Sequence, residues 1–141
     1  MLNIIEKATE NFCTHQLGIS CAKKESFHLN KRTLIAYIDV NIDNKVYRVY
    51  VAPDEKCVQN IALLFLDEDH SDEETLQDMT LETTNLIVGS AKVIAQESGH
   101  SFEIETPFFE KIGEFDLPYD SIQAMALGEN ELIIAIKELD A

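Results

Sequence analysis

The spacing of hydrophobic and polar positions changes several times along the chain, and each change marks an element. Over residues 2–16, Leu2, Ile5, Ala8, Phe12 and His15 fall near one face of a helix, with Ile4 beside them. That spacing predicts an amphipathic helix, and Gly18 just beyond it is suited to the left-handed closing position. Residues 19–29 have no clean period and are assigned to a strand. The period then becomes two: Leu34, Ala36, Ile38 and Val40 alternate with Ile35, Tyr37 and Asp39. Val46, Tyr47, Val49, Tyr50 and Val51 read as a second strand, and Asp43-Asn44 between the two supplies turn chemistry. Together they predict a β-hairpin.

Pro53, followed by Asp54 and Glu55, reads as a helix start, with proline in the first helical position and acids in the first turn. This helix should run to about Leu66. Residues 67–70 read as a solvated link. Ser71 and Glu74 have capping-box spacing and open a long helix, about 72–98, that ends at Gly99. Strands follow near 102–106, 121–127 and 131–138. Pro107, Gly113 and Pro118 break up the segment between the first two. Helices interleaved with hairpins, rather than with single strands, predict an α+β fold. Its expected form is two-layer, a largely antiparallel sheet with long helices packed on one face. No linker or repeat divides the chain, so residues 1–141 are expected to form a single domain.

Charge narrows the partners. The formal net charge of −15 disfavours nucleic acid and anionic lipid, and favours a partner with a basic face. The longest strongly apolar run, Ile61 to Leu66, is far short of the roughly 20 residues of a membrane span, and the N-terminus does not read as a signal peptide. Cys13, Cys21 and Cys57 are odd in number and lack a CxxC pair, which predicts small core thiols in a reducing compartment. His15, His28, His70 and His100 are scattered, and no zinc-ligand spacing appears. The acidic run Asp67 to Glu74 lacks the glycine of a calcium-binding EF-hand loop. No phosphate-binding glycine motif and no nucleophile elbow is present.

On a wheel of about 100° per residue, Leu76, Met79, Thr83, Leu86, Ile87, Ser90 and Ile94 of the long helix form the core stripe. Asp78, Glu82, Asn85, Gly89 and Lys92 gather on another side. Glu82 and Asn85, three apart, are surface neighbours. Gly89 one turn on leaves that side bare, at a helix-propensity cost of about 1 kcal/mol against alanine.

This stretch, DMTLETTNLIVGSAK at 78–92, resembles the signature helix of the CheX/CheC/FliY phosphatases. That signature is an acid or serine, then Glu, then Asn three later, and a proline some twenty residues on. Here they are Asp78, Glu82, Asn85 and Pro107. The plan of hairpin, helix, signature helix and closing strands also matches. The helix at 53–66 has Asn60, but Cys57 stands where a second signature would have Glu, so the chain is closer to CheX than to CheC.

The resemblance implies a phosphatase for a phosphorylated CheY-like response regulator, acting in the cytoplasm. Asn85 would hold the attacking water and Glu82 would pair with a lysine of the regulator. Asp78, Gly89 and Lys92 would line the docking face. The chain would have no cofactor or metal of its own, because Mg²⁺ and the phosphorylated aspartate belong to the regulator. A homodimer formed at a sheet edge is also implied. The same fold serves non-catalytic flagellar-switch and adaptor proteins, so a pure binding module is the alternative. Exposure of Asn85 discriminates, since a buried amide could not reach a partner.

Overall fold

The alternating segment Thr33–Ile42 becomes a central strand, β2, and Lys45–Pro53 becomes its hairpin partner, β3. The turn between them holds Asp43 at φ 48° and Asn44 at φ 71°, both left-handed, as the favoured two-residue hairpin turn requires. Asn41 Oδ1 accepts a hydrogen bond from the Asn44 N–H at 3.1 Å, which closes it. A computed structural model describes residues 1–139 of the chain. Its other elements are α1 (Leu2–Phe12), a π-helical turn (Cys13–Leu17), β1 (Cys21–Lys23), α2 (Glu55–Leu66), α3 (Glu73–Glu97), β4 (Phe102–Ile104), β5 (Phe108–Gly113), β6 (Ser121–Leu127) and β7 (Asn130–Leu139). The strands form one seven-stranded antiparallel sheet, ordered β1-β6-β7-β3-β2-β4. β5 shares the outer edge of β2 with β4, facing Thr33–Tyr37 while β4 faces Val40–Ile42.

The fold is therefore α+β. The helices lie over one face of the sheet, where Ile38, Val40, Val49, Leu132 and Ile134 meet Ile5, Phe12, Ile61 and Ile87. The opposite face has its own smaller core. There Ile35, Tyr50, Ala124, Ile133 and Ala135 pack under Phe115, with Phe27, Leu29 and Leu117 from the connecting loops. Leu132–Ile136 is consequently buried on both sides, and its sequence is a continuous apolar run rather than an alternation.

Four expectations about local structure are corrected. Pro53 ends β3, opposite Leu132, and does not open a helix. Asp54 caps α2 instead, its Oδ1 accepting from the Cys57 N–H at 2.8 Å, because a carboxylate satisfies a free N–H that proline cannot. Ser71 is not the cap of α3. Asp72 accepts from the Thr75 N–H at 2.8 Å, since its charge also complements the positive end of the helix. Ser71 instead ties α3 to α2, through Gln59 Oε1 and Glu68 Oε1, each at 3.0 Å. Within residues 19–29, only Cys21–Lys23 pairs, with β6. Finally, Phe108–Gly113 is a strand, because Pro107 and Gly113 bound it rather than interrupt it.

Asp54 also joins α2 to the sheet. Its Oδ2 accepts from the Glu131 N–H at 3.1 Å, and its own N–H donates to the Glu131 carbonyl at 3.0 Å. Asp54→Ala leaves two backbone donors without these acceptors. A loss of about 2–3 kcal/mol in denaturant unfolding is expected, more than a helix cap alone contributes.

Candidate functional site

The candidate site lies on α3, which runs for 25 residues. Asp72, Glu73 and Glu74 favour its positive end. Leu76, Met79, Thr83 and Ile87 are buried, as the wheel predicts, but so are Thr80, Thr84, Val88, Ala91 and Ala95. Leu86 and Ile94, expected to point inward, are only partly covered. The buried stripe is wider and turned, because α3 packs against α1 and α2 as well as against the sheet. Thr80 and Thr84 are tolerated there because Thr80 Oγ1 donates to the Leu76 carbonyl at 2.8 Å and Thr84 Oγ1 to the Thr80 carbonyl at 2.7 Å. Those bonds satisfy the hydroxyls inside their own helix.

The remaining side of α3 faces outward. Asp78, Glu82 and Asn85 are exposed, and Gly89 and Lys92 are half-buried. Glu82 and Asn85 therefore stand side by side on a helix whose opposite surface is fixed in the core. A Cβ built on Gly89 would meet nothing within 4 Å, so packing within the chain does not require glycine there. Val93, one turn beyond Gly89, is 54% exposed and extends this side with an apolar contact. Sequence reasoning left it out, although its i+4 spacing from Gly89 was available. Beside Leu86 and Ser90, the end of α1 and the π-helical turn after it contribute Asn11, Phe12, His15 and Gln16 to an open groove. That wall depends on how α1 lies on α3, which no local pattern encodes. Pro107 lies in the connection between β4 and β5.

A second polar cluster lies on the other side of the sheet. Glu131, 5% exposed, pairs with Lys24 at 3.0 Å and with Lys31. Burial pushes its carboxyl up, but Lys31 and Lys24 outweigh burial and hold it below the usual carboxylate range. The small pocket beside it, lined also by His28, Thr33 and Phe115, has room for about one water. This is an internal clamp between β7 and the loop before β2. Among the described residues, no group of three or more His, Cys, Asp or Glu could hold a metal ion. No helix among them is long and apolar enough to cross a membrane.

A seven-stranded antiparallel sheet carrying helices on one face is the fold that the CheX/CheC/FliY resemblance implies. The family model described as "Chemotaxis phosphatase CheX" matches residues 35–129, and the chain belongs to that family. Among solved structures, the chemotaxis protein CheX of Vibrio vulnificus is similar over 98% of both chains, with a TM-score of 0.80 and 19% identity. CheX in the CheX–CheY–BeF3–Mg²⁺ complex from Borrelia burgdorferi is similar over 97% of both chains, with a TM-score of 0.69 and 18% identity. FliY of Thermotoga maritima is similar over 98% of this chain and 86% of its own, with a TM-score of 0.63 and 17% identity. No curated protein matches the chain.

Proposed function

We propose that the chain accelerates hydrolysis of the aspartyl phosphate on a CheY-type response regulator, with Asn85 as the catalytic amide and Glu82 as the docking anchor. The observation that carries this reading is the exposure of Glu82 and Asn85, adjacent on one side of a rigidly packed helix. The family's description as a chemotaxis phosphatase supports it, as does the solved complex of a similar CheX with CheY and Mg²⁺.

The chemistry fits. Phosphoryl transfer is mostly positioning and charge stabilisation, and a neutral amide can align a water without repelling the phosphoryl oxygens. A second carboxylate at that point would repel them. Mg²⁺ enters with the regulator and offsets the phosphoryl charge. Asp78 and Lys92 border the docking face, and bare Gly89 allows close approach. The reaction belongs to the cytoplasm, where the regulator is phosphorylated. Two chains pair as a homodimer at an open sheet edge, β1 or β4–β5, and light scattering at high concentration should read a dimer mass.

The direct test charges a CheY-type regulator of the same organism with acetyl phosphate. Its decay is then followed with substoichiometric amounts of the chain. Multiple turnovers support the phosphatase. Binding without faster decay supports instead the non-catalytic adaptor role that the same fold could serve, FliY being the similar protein that motivates it. Glu82→Ala is expected to weaken docking and slow turnover together. Because the anchor is an ion pair across the interface, the wild-type advantage over this variant should shrink as salt screens the charges. Equal salt dependence of the two proteins would remove Glu82 from that role.

A further inference from the structure

α2 carries more apolar surface than the core takes up. Cys57, Val58, Ile61 and Ala62 face inward and are buried. The last turn, Leu63–Leu66, is apolar on its other sides as well, and Leu63, Leu64 and Leu66 are exposed, Leu64 at 53%. A surface helix ordinarily turns polar residues outward there. Single apolar side chains are normal on a surface, but these gather. Ile19, also exposed, and Leu127, buried at the end of β6, line one open groove of about 450 Å³ with Leu63 and Leu64. No residue of α3 lines it, so it is separate from the side that carries Glu82 and Asn85.

The rim sets the charge of what fits. Glu129, in the turn between β6 and β7, lines the groove and is exposed. Asp67 closes α2 at φ 57°, and its N–H donates to the Leu63 carbonyl at 3.0 Å, which holds it beside that wall. Among the described residues, neither carboxylate makes an ion pair. α2 has no basic residue in its last turn, so the negative end of the helix is uncompensated too. Lys56 lies one turn before Asn60, at the other end of the same wall. The groove thus has an apolar lining and an acidic end.

We propose that this groove docks an amphipathic helix of another protein, with its apolar side on Ile19, Leu63 and Leu64 and its Lys or Arg side chains over Asp67 and Glu129. A second copy of the chain fits poorly, because it brings the same acidic rim to both sides of the contact, on chains that each carry a net charge of −15. Anionic lipid is repelled in the same way. An extended segment needs backbone partners, whereas the lining offers apolar side chains. A helix satisfies its own backbone and needs only the apolar surface and the charges.

The test uses two dye-labelled synthetic peptides of identical composition and charge. One has leucines at i, i+4 and i+7 of a lysine-flanked helix, and the other has the same residues scrambled so that no apolar side forms. Fluorescence anisotropy at physiological salt should show binding of the first and at least about tenfold weaker binding of the second. Leu64→Ser should weaken the first peptide by at least about tenfold, while Phe108→Ser, which removes an exposed apolar side chain elsewhere, should not. Glu129→Lys and Asp67→Lys should each weaken binding and flatten its salt dependence, whereas Glu103→Lys, an equal charge change on β4, should have little effect. Circular dichroism verifies the fold of each variant. The proposal is overturned if the amphipathic peptide does not bind, if both peptides bind alike, or if Glu103→Lys acts as strongly as Glu129→Lys. It also falls if light scattering shows Leu64→Ser turning a dimer into a monomer, since a second copy then covers the groove.

Discussion

Replacing Asn85 with alanine is expected to bring regulator dephosphorylation down to the regulator's own spontaneous rate, while binding to the phosphorylated regulator survives. The expectation follows from what the amide touches. Asn85 is exposed on α3, away from the buried stripe of Leu76, Met79, Thr83 and Ile87, so truncating it disturbs no core contact. In the proposed reaction the amide acts on the attacking water and not on the ground-state complex. Its loss therefore lowers kcat and kcat/KM together and leaves affinity nearly intact. Asn85→Asp sharpens the test. It preserves size but places a carboxylate beside phosphoryl oxygens, so the rate should fall at least as far as with alanine. Affinity should fall too, because the repulsion is present before reaction. Wild-type rates for both variants with a cognate regulator would transfer the assignment to the binding-module reading.

Much of this site was legible in the sequence because a helix keeps its own geometry. Glu82, Asn85 and Gly89 share a side by spacing alone, and a 25-residue helix cannot rotate one residue without rotating all. The hairpin was legible for a similar reason, since alternation and the Asp43-Asn44 turn specify one register. What escaped depended on partners distant in sequence. Thr80, Thr84, Ala91 and Ala95 lay outside the stripe read from the wheel, and are core because the sheet and the other helices together cover more of α3 than one face. β5 looked like a broken loop because a strand's right to pair is set by the free edge of β2, which no local pattern announces. The start of α2 was placed two residues early and that of α3 one residue early. There a serine or proline stood next to an aspartate, and the carboxylate took the cap. The Glu131 clamp is invisible in sequence, because its two lysines lie about a hundred residues upstream in a segment with no clear period.

Gly89 is where local cost and proposed function part company most clearly. Glycine inside a helix sacrifices about 1 kcal/mol against alanine, and nothing in the chain claims the space that a side chain would take. Gly89→Ala should therefore stabilise the fold by up to about 1 kcal/mol in denaturant unfolding. Gly89→Leu, with the same open space and a strong helix former, should also fold at least as well as wild type. Function should move the other way. A regulator whose phosphorylated pocket reaches Asn85 must pass over the next turn of the helix, and a leucine there would hold it off. Displacement of about 1 Å is enough to degrade a positioned reaction by roughly a hundredfold. We expect alanine to have a small effect and leucine to weaken both affinity and turnover by at least about tenfold, since the clash acts on the complex before the chemistry. The stability gain separates this loss from unfolding. If Gly89→Leu folds more stably and still binds and dephosphorylates the regulator at wild-type rates, the partner does not cross this turn of α3, and the docking face must be redrawn toward the α1 groove.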